Sequence, residues 1–425
     1  MRISFFTLGC RVNHYETQQM EDLARARGFN VVPFGSEAEL CVVNSCALTA
    51  LAQTKVKRAV KSFVVKNPNS DVLMTGCFAQ ADSEAASKIP GVKWVFGNPE
   101  KMSVVDFLAG EFAGNLGAPI LSTPLGDRMN LKIQDGCDNF CSYCIIPRLR
   151  GLPRSEDFNL IVDKAAEFAD RGVREVIVSG INTAKFSSPK GGIVELLDAL
   201  DSIDGLLRIR MGSIEPTPDL PIDAILERAG DSSHKLMPHL HISAQSLCDK
   251  VLSAMRRKYS AGDYLRLISK AFEMCPEISL GTDIICGHPG EGDAEFAETF
   301  NRVKESPLAY LHVFTFSPRP KTLAAGMDGI PPKDIRARRA SKLRELGDRI
   351  FGDFIRRNAC VEHEVLLESP VNGVYMGYTQ NYIKAAVKIS KPGLKNTLVK
   401  VRFARISDDI PTEPVQAVPA ADFPG

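Results

Sequence analysis

The run Cys137-Asp138-Asn139-Phe140-Cys141-Ser142-Tyr143-Cys144 constrains this chain more than any other segment. It sets three thiols within eight residues, just after an apolar stretch that reads as a strand over Leu131–Gln134. Three thiolates on one short loop can converge on a single inorganic centre. A closed tetrahedral site needs a fourth ligand, and the second CxxC pair of a four-cysteine zinc knob is absent from the sequence. A cubane of four irons on three thiolates leaves one iron open to a small ligand, and thiolate-only ligation favours iron–sulfur clusters or zinc. The missing ligand points to a catalytic cluster; a zinc site and three ordinary loop cysteines are the alternatives.

The rest of the composition sets bounds. A chain of 425 residues, 44% apolar and 24% charged, is an ordinary globular protein of two or three domains. No apolar run is long enough for a membrane span, and MRISFFTLGC reads as a first strand rather than a signal peptide. Eleven cysteines without a secretion signal predict reduced thiols and metal ligation in the cytoplasm. The net charge of +1 leaves no global footprint for nucleic acid, so RNA contact must rest on local patches.

Along the chain, residues 1–109 alternate short strands and amphipathic helices, predicting a small α/β domain with a largely parallel sheet. A linker follows over 110–128. Residues 129–350 then carry six strand–helix units, with strands at Leu131–Gln134, Glu175–Ser179, Leu207–Met211, His239–Ser243, Ile278–Ile285 and Leu311–Phe316 and helix caps such as Asp163 and Asp249. Six βα units predict an open (β/α)6 partial barrel rather than a closed eight-fold one. Pro331–Asn358 reads as a basic amphipathic helix with a packed and a solvated face. Residues 351–410 shift to short alternating strands, a small β-barrel, and 411–425 read as a Pro- and Ala-rich disordered tail.

Cys10, Cys46 and Cys77 lie far apart in sequence, in FFTLGC, VVNSC and LMTGC. Each follows the C-terminal end of a predicted strand. In a parallel sheet those ends share one edge, where ligand sites form, so the three are placed to meet. Cys41 sits inside a strand and reads as a core thiol; Cys248, Cys275, Cys286 and Cys360 likewise read as structural, and His241 and His312 as satisfied strand histidines.

The CxxxCxxC loop, with Tyr143 before its last cysteine, resembles the signature of the radical S-adenosylmethionine (SAM) superfamily. The blocks Gly9-Cys10-Arg11-Val12-Asn13-His14-Tyr15-Glu16-Thr17, Asn44-Ser45-Cys46 and Thr75-Gly76-Cys77 resemble the methylthiotransferase family within it. Further matches are Ile145–Ser155, Ser213–Pro216, His241–Ser246, Met255–Tyr259 and Thr282–Glu291. The stretch Gly377-Tyr378-Thr379-Gln380-Asn381-Tyr382-Ile383 resembles the TRAM domain, an RNA-binding module. Leu247-Cys248, Cys286 and His288 depart from the family wording, which puts the fine geometry of SAM or substrate in question.

The resemblance implies two [4Fe-4S] clusters, one on Cys137, Cys141 and Cys144 and one on Cys10, Cys46 and Cys77, with no catalytic residue beyond these ligands. It implies SAM binding by Tyr143, Gly180, Ser213, Glu215, Ser243 and Gln245. Substrate contacts fall to Asn13, Arg150 and Arg154, with Tyr378 and Tyr382 stacking on bases if exposed. The wording of Arg11–Val12 and Tyr15–Thr17 is most similar to the branch acting on N6-threonylcarbamoyladenosine at position 37 of tRNA. Branches acting on isopentenyladenosine or on an aspartate of a ribosomal protein are the nearer alternatives. A non-catalytic RNA-binding protein with structural metal sites is the alternative from another class. The implied chemistry is a 5′-deoxyadenosyl radical that takes hydrogen from C2 of adenine, followed by methylthio transfer. It requires an electron donor and a sulfur source, and the expected enzyme is a cytoplasmic monomer.

Overall fold

A computed structural model describes residues 1–118, 126–359, 361–389, 391–403 and 414–420. Its first unit is a parallel five-stranded sheet built from β1 (Arg2–Thr7), β2 (Asn30–Val32), β3 (Leu40–Ser45), β4 (Asp71–Gly76) and β5 (Val92–Val95), in the order β2-β1-β3-β4-β5. The β3 strand is buried along its whole length, as expected for the centre of a sheet covered on both faces. The covering helices are α1 (Arg11–Ala26), α2 (Ala50–Lys66), α3 (Cys77–Ala81), α4 (Ser83–Ser87) and α5 (Val104–Glu111). Val56, Val60 and Phe63 form the buried stripe of α2, and Thr49 caps its start by accepting from the Ala52 N–H. The expected strand at Trp94–Gly97 starts and ends two residues earlier, and β2, only three residues long, was not expected.

The central unit runs from β6 (Arg128–Lys132) through β7 (Gln134–Asp135), α6 (Ile146–Arg150), β8 (Arg154–Ser155), α7 (Phe158–Asp170), β9 (Glu175–Ser179), α8 (Ile193–Asp201), β10 (Arg208–Met211) and β11 (Ser213–Ile214). It continues with α9 (Ile222–Gly230), β12 (His239–Ile242), α10 (Asp249–Ala254), α11 (Ala261–Met274), β13 (Ser279–Cys286), α12 (Asp293–Glu305), β14 (Tyr310–Thr315) and α13 (Lys333–Asn358). Parallel sheets β6-β9-β10 and β11-β12-β13-β14 meet at a bridge between Ile209 and Leu236 and form an open arc. This is the expected six-unit partial barrel. Caps differ from expectation: Asp157 caps α7 by accepting from Asn159 and Leu160, while Asp163 lies inside the helix, and Asp249 is its helix's first residue rather than its cap. Gly281 on β13 is needed because a Cβ there would fall 2.0 Å from the Tyr310 ring, which lies across the strand to reach His239 and His241.

The α13 helix runs unbroken past residue 350 and delivers Phe354 and Ile355 into the core of the last unit. That unit is a closed barrel of β15 (His363–Leu367), β16 (Val374–Thr379), β17 (Lys384–Lys388), β18 (Leu398–Phe403) and β19 (Val415–Pro419), in the order β15-β16-β17-β19-β18. The expectation of a disordered tail from Pro411 is corrected by β19. It closes the barrel by pairing parallel to β17 and antiparallel to β18, and its terminal proline sits where a strand tolerates a missing donor. The rest of that tail, most of the expected linker and Cys360 lie outside the described residues.

Two buried arginines dock this barrel. Arg208 donates to the Tyr378 and Glu364 carbonyls (both 2.7 Å), and Arg210 to those of Gln380 (2.9 Å) and Thr379 (2.7 Å). Among the described residues no helix is long and apolar enough to cross a membrane.

Candidate functional site

The ends of β1, β3 and β4 are in register, Thr7 opposite Asn44 and Asn44 opposite Thr75. Cys10, Cys46 and Cys77 follow these residues by two or three positions, so the sheet carries three thiols from separate βα turns to one edge. They are close enough that each of Cys10 and Cys46 feels the charge of Cys77. Asn13 ties two of the turns, donating to the Leu8 (3.2 Å) and Ser45 (3.3 Å) carbonyls. Gly76 makes the third turn possible, at φ 94° and with a would-be Cβ 2.6 Å from the Ser45 backbone.

The second thiol set stands on the loop after β7. Its shape comes from backbone bonds: Cys137 N–H to the Gly151 carbonyl, Cys144 N–H to that of Cys141, and Ser142 N–H to that of Met255, all 3.0 Å. Below the loop, the Ser142 hydroxyl meets His288 Nε2 at 2.8 Å, while His288 Nδ1 faces the Pro289 carbonyl at 2.9 Å. Burial pushes His288 down to about 4, so it stays a neutral imidazole near neutrality. Arg257 donates to Cys141 Sγ at 3.2 Å, pairs with Glu215 at 3.0 Å and bonds the Tyr259 hydroxyl at 2.9 Å.

Both sets fit iron–sulfur ligation. Among the described residues, the only group of His, Cys, Asp or Glu whose ligand atoms all fall within 4.8 Å of one another is His241, Asp283 and His312. Neither thiol set is drawn in that tightly. N–H donors reach sulfur in both, from Arg257 to Cys141 and from Asn98 to Cys77 (3.7 Å), as in cluster sites whose potential is tuned by N–H···S bonds. Burial raises Cys10, Cys46 (to about 11), Cys137 and Cys144 (to about 12), so cluster binding must displace their protons.

The two sets belong to different units joined by a buried clamp. Arg150 donates to Glu16 (2.9 and 3.1 Å), Asp135 (3.0 Å) and Asn13 Oδ1 (2.6 Å), and Lys101 pairs with Glu16 at 2.7 Å. Arg150 and Asn13, expected to contact substrate, both lie in the interior and bond protein partners. Arg154, exposed, donates to the Arg150 carbonyl at 3.0 Å. Burial alone would raise Glu16, but Lys101 and then Arg150 outweigh it and hold the acid at about 2.

A cavity of about 260 Å³ opens between the units, walled by Leu48 and Thr49 after Cys46, by Tyr143 and Cys144 of the loop, and by Gln245, Asp283, Ile285, Phe314, Phe316 and Arg319 of the barrel. Of the expected SAM-binding residues, Tyr143 and Gln245 face this cavity. Gln245 holds φ 64° and bonds the Asp283 backbone. Ser243 donates to Asp283 at 2.7 Å. Glu215 is bonded by Arg257, Asn182 and Asn139, which ties it to the cysteine loop. Gly180 follows β9 and lies against Gln134, and Ser213 opens β11 two residues after β10 ends.

Tyr378 and Tyr382 stack on each other at 4.8 Å, but they face the central unit rather than an open barrel surface. Arg128 sits 4.0 Å over Tyr378, and His239 stacks on Tyr382 at 4.2 Å. Both line a second cavity of about 800 Å³ with Tyr310, His312 and Arg344. His241 and His312 lie 3.0 and 3.4 Å from Asp283, strand histidines held in a polar network. Cys248 packs with Val251 and Met255 behind Tyr143, and Leu247 is wholly buried, so this departure supports the loop from behind. Arg257 and His288 were not expected as site residues, although Met255–Tyr259 is among the family matches and His288 among the departures; nothing local shows which loop they brace.

Comparison with known families agrees with this layout. Residues 131–303 match the Radical SAM superfamily, and residues 2–97 match the family described as Uncharacterized protein family UPF0004. The chain is 36% identical over 392 residues to "Threonylcarbamoyladenosine tRNA methylthiotransferase MtaB" of Thermotoga maritima, covering 89% of each chain. It is 32% identical to the protein of the same name from Bacillus subtilis, covering 95% of this chain and 94% of that one. Among solved structures it is similar to the radical S-adenosylmethionine methyltransferase TsrM from Kitasatospora setae. The TM-score is 0.54 at 13% identity, over 76% of this chain and 77% of that one, a likeness of fold.

Proposed function

The chain belongs to the radical SAM methylthiotransferases, and from that membership we propose that it adds a methylthio group to C2 of N6-threonylcarbamoyladenosine at position 37 of tRNA. The observation that carries this reading is one cavity walled on one side by the turn after Cys46 and on the other by Tyr143 and Cys144. A base held there meets both thiol sets.

Cys137, Cys141 and Cys144 would hold one [4Fe-4S] cluster and Cys10, Cys46 and Cys77 a second. Together with SAM these supply a 5′-deoxyadenosyl radical at the first and transferable sulfur at the second. The chain's own residues do the rest. Ile285, Phe314 and Phe316 give the cavity apolar walls that keep water from a reactive centre. Glu215, Arg257 and Ser142 with His288 fix the loop, and the Arg150 clamp fixes the distance between the sets. Exposed cations supply local RNA contacts. The α2 helix carries Lys55, Lys57, Arg58, Lys61 and Lys66 and no acid, and α13 presents Arg338, Lys342 and Arg349. A reducing electron donor and a sulfur source complete the reaction, and the enzyme acts as a cytoplasmic monomer.

The test offers reconstituted enzyme two anticodon stem-loops separately, one threonylcarbamoylated and one isopentenylated, and follows nucleosides by mass spectrometry. Methylthio product on the first supports the reading. Product on the isopentenylated RNA alone, or on neither, overturns it.

A further inference from the structure

Arg319 lies on the wall of the cavity between the two thiol sets and is 7% exposed. Its guanidinium makes no hydrogen bond or ion pair with any described residue. Its Nε is a fully buried donor without an acceptor, and the residue's only hydrogen bonds are those its backbone carbonyl accepts from Thr322. The other buried arginines are all paired: Arg150 with Glu16, Arg210 with Glu175, Arg257 with Glu215 and Arg339 with Glu291, and Arg208 bonds two carbonyls. A buried, unpaired guanidinium is costly unless something answers it.

The nearest carboxylate on the cavity wall does not answer it. Asp283 is taken by Ser243 at 2.7 Å, His241 at 3.0 Å and His312 at 3.4 Å. Apart from Cys144 the remaining wall is apolar or neutral, with Leu48, Ile145, Ile285, Phe314 and Phe316 prominent, and Cys46, whose thiolate charge reaches the guanidinium, offers it no oxygen. An occupant that satisfies Arg319 must therefore bring its own oxyanion, for which a guanidinium offers a bidentate fork.

This inference rests on the function proposed above. The threonylcarbamoyl substituent ends in a free carboxylate beside the base. We propose that Arg319 binds the carboxylate of that substituent and so makes the acid, rather than adenine alone, the feature this cavity selects.

The test uses cluster-loaded enzyme with three stem-loops: threonylcarbamoylated, the same RNA with the threonine acid converted to its amide, and isopentenylated. KM is measured for each, with RNA affinity by fluorescence anisotropy in the absence of reductant. The wild type should prefer acid over amide by roughly 10- to 100-fold, the span of one charge-assisted contact. Arg319→Gln should collapse that ratio towards one, and Arg319→Lys should restore part of it; iron content and the cluster absorption should match the wild type. Equal use of acid and amide by the wild type overturns the proposal even if neither variant folds. Equal weakening of both RNAs by Arg319→Gln assigns the group to a phosphate and also overturns it. Loss of iron in the variants assigns it to cluster charge, again against the proposal. Product on the isopentenylated RNA alone would instead defeat the underlying function.

Discussion

Replacing Glu16 by Gln should loosen the two units from each other. The carboxylate sits 2.7 Å from Lys101 and 2.9 Å from Arg150, with its side chain 8% exposed. Its drop from an ordinary 4.5 to about 2, despite burial that pushes it up, corresponds to about 3 kcal/mol favouring the ionised folded form. The Gln variant keeps the shape but leaves Lys101, whose only acceptor among the described residues is Glu16, as an uncompensated buried charge, a loss of about 3–5 kcal/mol in comparable cases. Because the folded pKa is depressed, the contribution is whole above pH 4.5 and is lost as pH falls towards 2. The gap between wild type and variant should therefore be full at pH 7 and smaller by about 1 kcal/mol at pH 3.5. Hydrogen exchange of α1 and α6 amides reads the opening locally, avoiding any assumption that the whole chain unfolds in one step. Methylthio transfer should fall while 5′-deoxyadenosine formation continues. A gap under about 0.5 kcal/mol at pH 7, or a gap that widens on acidification, would refute the reasoning.

Changing Cys10, Cys46 or Cys77 to Ala should abolish methylthio product but spare SAM cleavage, whereas Cys141→Ala should abolish both, as read by chromatography of 5′-deoxyadenosine beside the modified nucleoside. Iron in the triple variant of Cys137, Cys141 and Cys144 should fall to about half the wild-type value. Arg208→Met removes the donor to two carbonyls and should cost about 2–4 kcal/mol of docking, seen as faster limited proteolysis after residue 359. Affinity for tRNA should fall steeply with salt, and Lys57→Ala with Arg58→Ala should lower the log–log slope by about two; an unchanged slope removes α2 from the footprint.

Much of this was legible because it is written locally. Three cysteines after three strand ends meet because parallel strands end at one edge, and the six-unit arc follows from strand–helix alternation. What the sequence hid depends on distant partners. Arg150 looked like a free anion-binding group because Glu16 and Asn13, 134 and 137 residues away, cannot be seen from it. The last barrel strand hid in Pro- and Ala-rich composition, since only pairing with β17 and β18 makes Val415–Pro419 a strand. Whether the tyrosines of the C-terminal barrel are exposed to stack on bases could not be read from sequence, since Arg128 and His239, which lie against them, are distant in the chain. Arg319 gave no local signal, because what marks it is that no described residue accepts from its buried Nε.

The contrast between the two thiol sets has a consequence for how the protein matures. Cys137, Cys141 and Cys144 need only a short loop, so they can gather while the chain is still being synthesised. Cys10, Cys46 and Cys77 come together only after β1, β3 and β4 have paired across gaps of more than thirty residues, a non-local step paid for in loop-closure entropy. A cluster reaching the protein would therefore meet a local loop of ligands at one site and a finished sheet edge at the other. Iron limitation or a destabilised N-terminal sheet should then yield chains loaded at the loop alone, a half-matured population that spends SAM without making product.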